Sequence, residues 1–212
     1  MAQPVIPLAT AWQSARLVYR TVEDNDEDKA HLTACNDGDP IGMAFSSPRL
    51  LAPGTKATAE TLLGWLNHAY LRVFICLPPA QEQNGEAIAE PKKQKPLPTP
   101  IGTLFLWPMA PNTSHHRNAT LGIALQPSFR DRGYGQEALN WALDWAFMRA
   151  GLHRVSLRVY NVNPRALRAY KKVGFVEEGR ERESALLERR WVDVIVMGIL
   201  EHEWEKLRKF DF

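Results

Sequence analysis

Four residues within a six-residue stretch can hold an anion. In QPSFRDRGYGQEAL, residues 126–139, Arg130 and Arg132 precede Gly133 and Gly135. The run LGIAL before them reads as a strand, and a long helical pattern follows. A helix opens with unpaired backbone N–H groups and the positive end of its dipole. Glycine at that point admits positive φ and lets a ligand reach the main chain. The loop Arg130, Asp131, Arg132, Gly133, Tyr134 and Gly135 is therefore expected to bind a phosphate or diphosphate. It is not a Walker loop, because GxxxxGK followed by Ser or Thr is absent. GYGQEA matches the dinucleotide fingerprint GxGxxA in form. That fingerprint needs an acidic residue about 20 positions further on, and no Asp or Glu lies between Asp144 and Glu177.

The second chemistry-bearing segment is NPRALRAYKKVGF, residues 163–175. Asn163 suits a helix cap, Pro164 the first helical position, and Gly174 the position past the end. Tyr170 then sits roughly 10 Å along the helix from its cap, at about 1.5 Å per residue. Arg165, Arg168, Lys171 and Lys172 give this helix a basic face, read first as a solvated surface and second as charge for a phosphate group of a ligand. His115 and His116 are adjacent but lack further ligands at metal spacing, so no metal is expected.

The elements that must position these residues follow from hydropathy patterning. Strands are expected at 16–22, 72–77, 101–109, 119–125, 153–160, 176–185 and 191–200. Helices are expected over 23–36, with acidic residues in the first turn, over 57–71, from Gly133 to about Ala150, and over 163–174. The closing segment EHEWEKLRKF is amphipathic and is expected to cap a sheet edge or meet a partner. Residues 78–100, PPAQEQNGEAIAEPKKQKPLPTP, are too poor in apolar side chains to fold alone and read as a flexible insertion. The mixed order argues for an α/β sheet with antiparallel portions. One domain over 16–205 is expected, with an N-terminal tail, 1–15, and a C-terminal tail, 206–212.

Arg130, Gly133 and Gly135 fit Arg/Gln-x-x-Gly-x-Gly/Ala, and Asn163, Ala166, Tyr170, Gly174 and Phe175 fit Asn-x-x-Ala-x-x-x-Tyr-x-x-x-Gly-Phe. On these two elements the chain resembles the GCN5-related N-acetyltransferases (GNAT), from about Ile101 to Leu200. Its ending, VEEGRERESALLERRWVDVIVMGIL, is similar to the branch that includes ribosomal-protein alanine and spermidine acetyltransferases. The resemblance implies a GNAT-type mixed, largely antiparallel sheet of six to seven strands. About four helices would flank it, and a splayed strand pair would hold the cofactor. It implies acetyl-CoA (coenzyme A) as donor, with the diphosphate on loop 130–135. The pantetheine arm would lie on the main chain near Ile123 and Leu125. Asn163 would add a cofactor contact, and Tyr170 would be the catalytic acid that protonates the departing thiolate. The acceptor would be the primary amine of a small molecule, a polyamine or a protein N-terminus.

Many relatives carry a glutamate on the strand before the loop, and ATLGIAL has no carboxylate. A free alkylamine has a pKa of about 10, so a proton acceptor is needed. Glu23, Asp24, Asp26, Asp28, Glu188 and Asp193 are the candidates, with a water relay as the other route. The missing glutamate keeps open a non-catalytic acyl-CoA-binding module. The glycine fingerprint keeps open, less strongly, a dinucleotide oxidoreductase.

A net charge of +2 gives no electrostatic footprint for nucleic acid, and the seven tryptophans are not interleaved with basic residues. The longest apolar run near the end, VIVMGIL, is too short to span a bilayer. MAQPVIPLATAWQ has no basic n-region and is not expected to be a signal peptide. Cys35 and Cys76 are expected as free thiols. Together these imply a cytoplasmic protein without a membrane or nucleic-acid partner, and they leave a homodimer open.

Overall fold

A computed structural model describes residues 8–36, 39–46, 49–53, 55–79, 97–110 and 112–209. Its centre is one seven-stranded sheet: β1 (Val18–Thr21), β2 (Leu71–Leu77), β3 (Thr99–Pro108), β4 (Asn118–Leu125), β5 (Arg154–Tyr160), β6 (Val176–Leu187) and β7 (Arg190–Leu200). The spatial order is β1-β2-β3-β4-β5-β7-β6, and every neighbouring pair is antiparallel except β4 with β5. All seven expected strands are present. The expected insertion at 78–100 falls largely on residues 80–96, outside the described residues, while Thr99 and Pro100 already belong to β3.

Among the described residues, six helices accompany the sheet where about four were expected: α1 (Asp26–Asn36), α2 (Pro40–Ser46), α3 (Lys56–Leu66), α4 (Tyr134–Asp144), α5 (Pro164–Lys172) and α6 (Glu201–Arg208). The unforeseen one is α2, seven residues long and too short to show a helical period. The long pattern from Gly133 is α4 followed by one π-helical turn, Trp145–Arg149.

The central strands are apolar almost throughout because both of their faces are covered. Along β2, Leu71, Val73 and Ile75 join the larger core with Leu139, Ala142 and Leu143 of α4. The alternate residues Phe74 and Cys76 meet Leu32 of α1 and Leu63 and Leu66 of α3 in a second core. Strand alternation thus sorts one sequence run into two layers. The acidic first turn of α1 is partly consumed locally. Asp28 is 1% exposed and takes two N–H groups from Arg20, at 2.9 and 2.6 Å, and one from the Glu23 main chain at 2.8 Å. Burial pushes its carboxyl up, but these donors outweigh burial and hold it below the usual carboxylate range.

Both expected tails are in part structural. Trp141 Nε1 of α4 donates to the Ala11 carbonyl at 3.0 Å, and Ser14 Oγ donates to Glu137 Oε1 at 2.7 Å. The closing helix α6 does not cap a sheet edge. It lies back on α4, with Trp204 buried and both Trp204 Nε1 and Arg208 Nε donating to Asp144 Oδ1 at 2.8 Å. Among the described residues no helix is long and apolar enough to cross a membrane, and no His, Cys, Asp or Glu cluster could hold a metal ion. Both cysteines are free and buried.

The end of α5 is closed by a pair of reverse bonds. Phe175 N donates to Tyr170 O at 3.1 Å and Gly174 N to Lys171 O at 3.2 Å, with the Tyr170 and Phe175 rings edge to face at 5.9 Å. This is the Schellman arrangement, which needs a left-handed residue at its turn. Gly174 supplies it at φ 106°. A Cβ there would overlap Leu207 and come within 3.0 Å of Ile199 Cδ1. Gly174→Ala is therefore expected to lower unfolding free energy by about 1–3 kcal/mol, measured by urea denaturation. An unchanged midpoint would show that neither the φ nor the packing constrains this turn.

Candidate active site

The parallel pair β4–β5 starts together and then separates. Asn118, Ala119 and Thr120 pair with Arg154, Val155 and Ser156, and no β5 partner faces Leu121–Leu125. On its other side β4 stays paired with β3 through to Leu125 opposite Gly102. Strand alternation decides which main-chain groups face the gap. Gln126 N donates across to Ile101 O of the β3 side at 3.0 Å, so Ile123 and Leu125 present their N–H and C=O groups to the opening.

A cavity of about 420 Å³ occupies this opening. Eight of the ten sequence-derived positions line it: Ile123, Leu125, Arg130, Asp131, Gly133, Gly135, Asn163 and Tyr170. Arg132 and Tyr134 do not. The Arg132 guanidinium lies 6.0 Å from the Phe129 ring centre, and the Tyr134 ring lies under Arg16 at 4.7 Å. Gly133 caps α4 with φ 83°, so the turn expected from the glycine pair is made there. The first-turn acid of α4, Glu137, is held at the rear by Arg16, through N at 2.7 Å and Nε at 2.8 Å. These bonds tie the first turn of α4 to the segment before β1.

Arg130 turns its side chain inward. Its Nε donates to the Leu125 carbonyl at 2.8 Å and its Nη2 pairs with Asp39 Oδ2. Asp39 immediately precedes α2 and is 7% exposed. Burial pushes its carboxyl up, but the Gly42 N–H, the Arg130 guanidinium and the Ile41 N–H hold it below its ordinary value. Neither α2 nor Asp39 was expected from periodicity. The local signal was Asp39-Pro40, a capping residue followed by proline at the first helical position.

Asn163 caps α5, its Oδ1 accepting from Ala166 N at 3.1 Å. Arg165 of that helix approaches Asp131 Oδ2 at 3.5 Å, while Arg168 and Lys172 also face the cavity. None of the expected proton acceptors lines it. Asp24 pairs with Lys29 at 2.6 Å and Asp28 with Arg20. Asp193 takes the Glu183 N–H at 2.9 Å and Arg180 at 3.1 Å. Glu188 sits with Arg189 at positive φ, 48° and 61°, in the tight turn joining β6 to β7. Glu23 and Asp26 likewise lie outside the lining.

This architecture has relatives. The chain belongs to the GNAT acetyltransferases: the family model for the acetyltransferase (GNAT) domain matches residues 16–176. A spermidine N(1)-acetyltransferase of Vibrio cholerae is 36% identical over 89 residues, 42% of this chain and 51% of that protein. A Bacillus subtilis protein named as a ribosomal N-acetyltransferase, YdaF, is 26% identical over 90 residues, 42% of this chain and 49% of that one. The chain thus spans about half the length of the curated relatives it matches. Among solved structures, spermidine N-acetyltransferase from Vibrio cholerae in complex with CoA and spermine superposes with a TM-score of 0.69. It is 24% identical, covering 90% of this chain and 99% of that one, a likeness of fold. The GNAT-family acetyltransferase of Bacillus anthracis gives 0.66 at 18% identity, over 90% and 98%. The loop between β4 and α4 therefore belongs to a sheet of mixed direction, not to the βαβ array of a dinucleotide enzyme.

Tyr170 is half-buried, and desolvation pushes its phenol up to about 12. The group stays protonated through neutral and mildly basic pH. A phenolate-band titration comparing the native protein with Tyr170→Phe is expected to give coincident curves up to about pH 11. An extra ionisation near the ordinary tyrosine value in the native protein would place the hydroxyl in water.

Proposed function

We propose that the chain is an acetyl-CoA-dependent N-acetyltransferase that moves an acetyl group to a primary amine by direct attack in a ternary complex. The observation that supports this best is the coincidence, in one cavity, of an unpaired strand edge, a helix start with positive φ at Gly133 and a protonated phenol. The residues fit the donor. Main-chain amides at Gly133 and Gly135 suit a diphosphate, and Arg168 and Lys172 give the adjoining wall positive charge. The N–H and C=O groups of Ile123 and the N–H of Leu125 suit an extended amide-bearing arm, which would bind as an added strand, while the Leu125 carbonyl is held by Arg130.

Acetyl-CoA supplies the thioester carbon that the amine attacks. The bond from amine nitrogen to acetyl carbon forms as the carbon–sulfur bond breaks. Tyr170 Oη gives its proton to the departing sulfur and regains one from solvent, a role suited to a phenol that burial keeps neutral. The ammonium loses one proton to water before it attacks, and the nitrogen loses a second as the amide forms, so one proton is released to solvent overall. The matched spermidine N(1)-acetyltransferase of Vibrio cholerae and the protein of Bacillus subtilis named as a ribosomal N-acetyltransferase support an amine acceptor. A second reading, an acyl-CoA-binding module without turnover, draws on the absence of the expected acids from the described lining.

An acceptor panel of spermidine, simple monoamines and alanyl peptides, followed by release of the CoA thiol, decides between them. Turnover on at least one amine is expected. CoA binding with no turnover on any would favour the second reading, and no CoA binding would sink both. Tyr170→Phe is expected to lower kcat by about 10²- to 10⁴-fold with CoA affinity unchanged. Parallel losses in both would make Tyr170 a packing residue.

A further inference from the structure

We propose that Arg130 is a positioning residue and not a phosphate ligand: through Asp39 it fixes α2 to the anion loop and so sets the part of the cavity wall that α2 forms. The proposal rests on the donor-binding reading above for its place in the reaction, but its geometry stands independently. Two of the three guanidinium nitrogens are already engaged, Nε on the Leu125 carbonyl at 2.8 Å and Nη2 on Asp39. The planar fork thus ties the last residue of β4 to the cap of α2, and only 17% of the side chain is exposed. Turning Arg130 towards a phosphate would leave the Asp39 carboxylate buried and without its cation, a heavy penalty.

Asp39 in turn accepts the main-chain N–H groups of Ile41 and Gly42, so the same carboxylate closes α2 and meets Arg130. Gly42 is what lets the guanidinium in. A Cβ there would overlap the Asp39 carboxylate and sit 2.6 Å from Arg130 Nη2. Beyond the pair, Ile41, Met43 and Phe45 of α2 line the cavity. Diphosphate binding is then left to the main-chain amides of the loop and the cations of α5.

The test compares Arg130→Gln, Arg130→Lys, Gly42→Ala and the double variant Arg130→Gln with Asp39→Asn. Amide hydrogen exchange in α2 of the ligand-free protein is expected to speed up about tenfold or more in Arg130→Gln and in Gly42→Ala. Arg130→Lys, which keeps a cation beside Asp39, should recover most of the protection. The double variant should exchange no faster than Arg130→Gln alone, because it removes the stranded charge. Calorimetric CoA affinity of Arg130→Gln should stay within about threefold of native, whereas losing a charge-assisted phosphate contact would cost about tenfold or more. Either that larger loss of CoA affinity or unchanged exchange in α2 overturns the proposal. If the native protein bound no CoA, the proposed function would fall, and the exchange measurements would still decide the role of Arg130.

Discussion

A parallel strand pair that begins in register and then parts leaves polar main chain facing a gap. Backbone N–H and C=O groups removed from water need partners, so such a gap stays wet or is filled by something with an extended backbone of its own. Everything else about the site is arranged around the point where Thr120 and Ser156 make the last pair. The loop after β4 supplies an anion-ready helix start at one end of the gap. Helix α5, launched just after β5, carries Tyr170 to its side. Helix α2 closes over it from elsewhere in the chain.

Charge in this region is already largely partnered within the fold. Arg16 is spent on Glu137, Arg130 on Asp39, and Arg158 on Glu181. Asp28 and Asp39 are both buried and both held ionised by arginine. Such pairs are poor sources of net stability, since desolvation offsets the attraction, but they are costly to break one side at a time. They therefore act as fixed joints. Three of the acids expected as proton acceptors, Asp24, Asp28 and Asp193, are held by ion pairs, which a linear pattern of charges does not reveal.

The legible parts of the sequence were those governed by short-range rules. Strand alternation, the Asn163–Pro164 cap and the glycine after α5 each report on a few neighbouring residues, and each element came out where those residues put it. The anion loop was legible as a location, and eight of its associated positions converge on one cavity. What could not be read was side-chain direction. Arg130 and Arg132 look equivalent in RDRG, yet one points into the protein and the other towards Phe129, because the deciding partner, Asp39, is 91 residues away. Helix α2 escaped notice for a related reason: seven residues are too few for periodicity, and its hold on the fold is a long-range ion pair. The closing segment was legible as amphipathic but not as to what its apolar side would meet, which proved to be α4.

The outermost strand, β6, pairs only with β7 and slips register twice, between Glu177 and Gly179 and between Glu181 and Ala185. Its exposed face is dense in charge, with Glu178 and Glu181 drawn back over the sheet by Arg154 and Arg158 of β5. A free strand edge invites another chain to extend the ladder, and irregular pairing with clustered charge discourages it. The interior edge of β4 is thus left inviting for a small guest, while the rim formed by β6 is a poor template for fibrous growth.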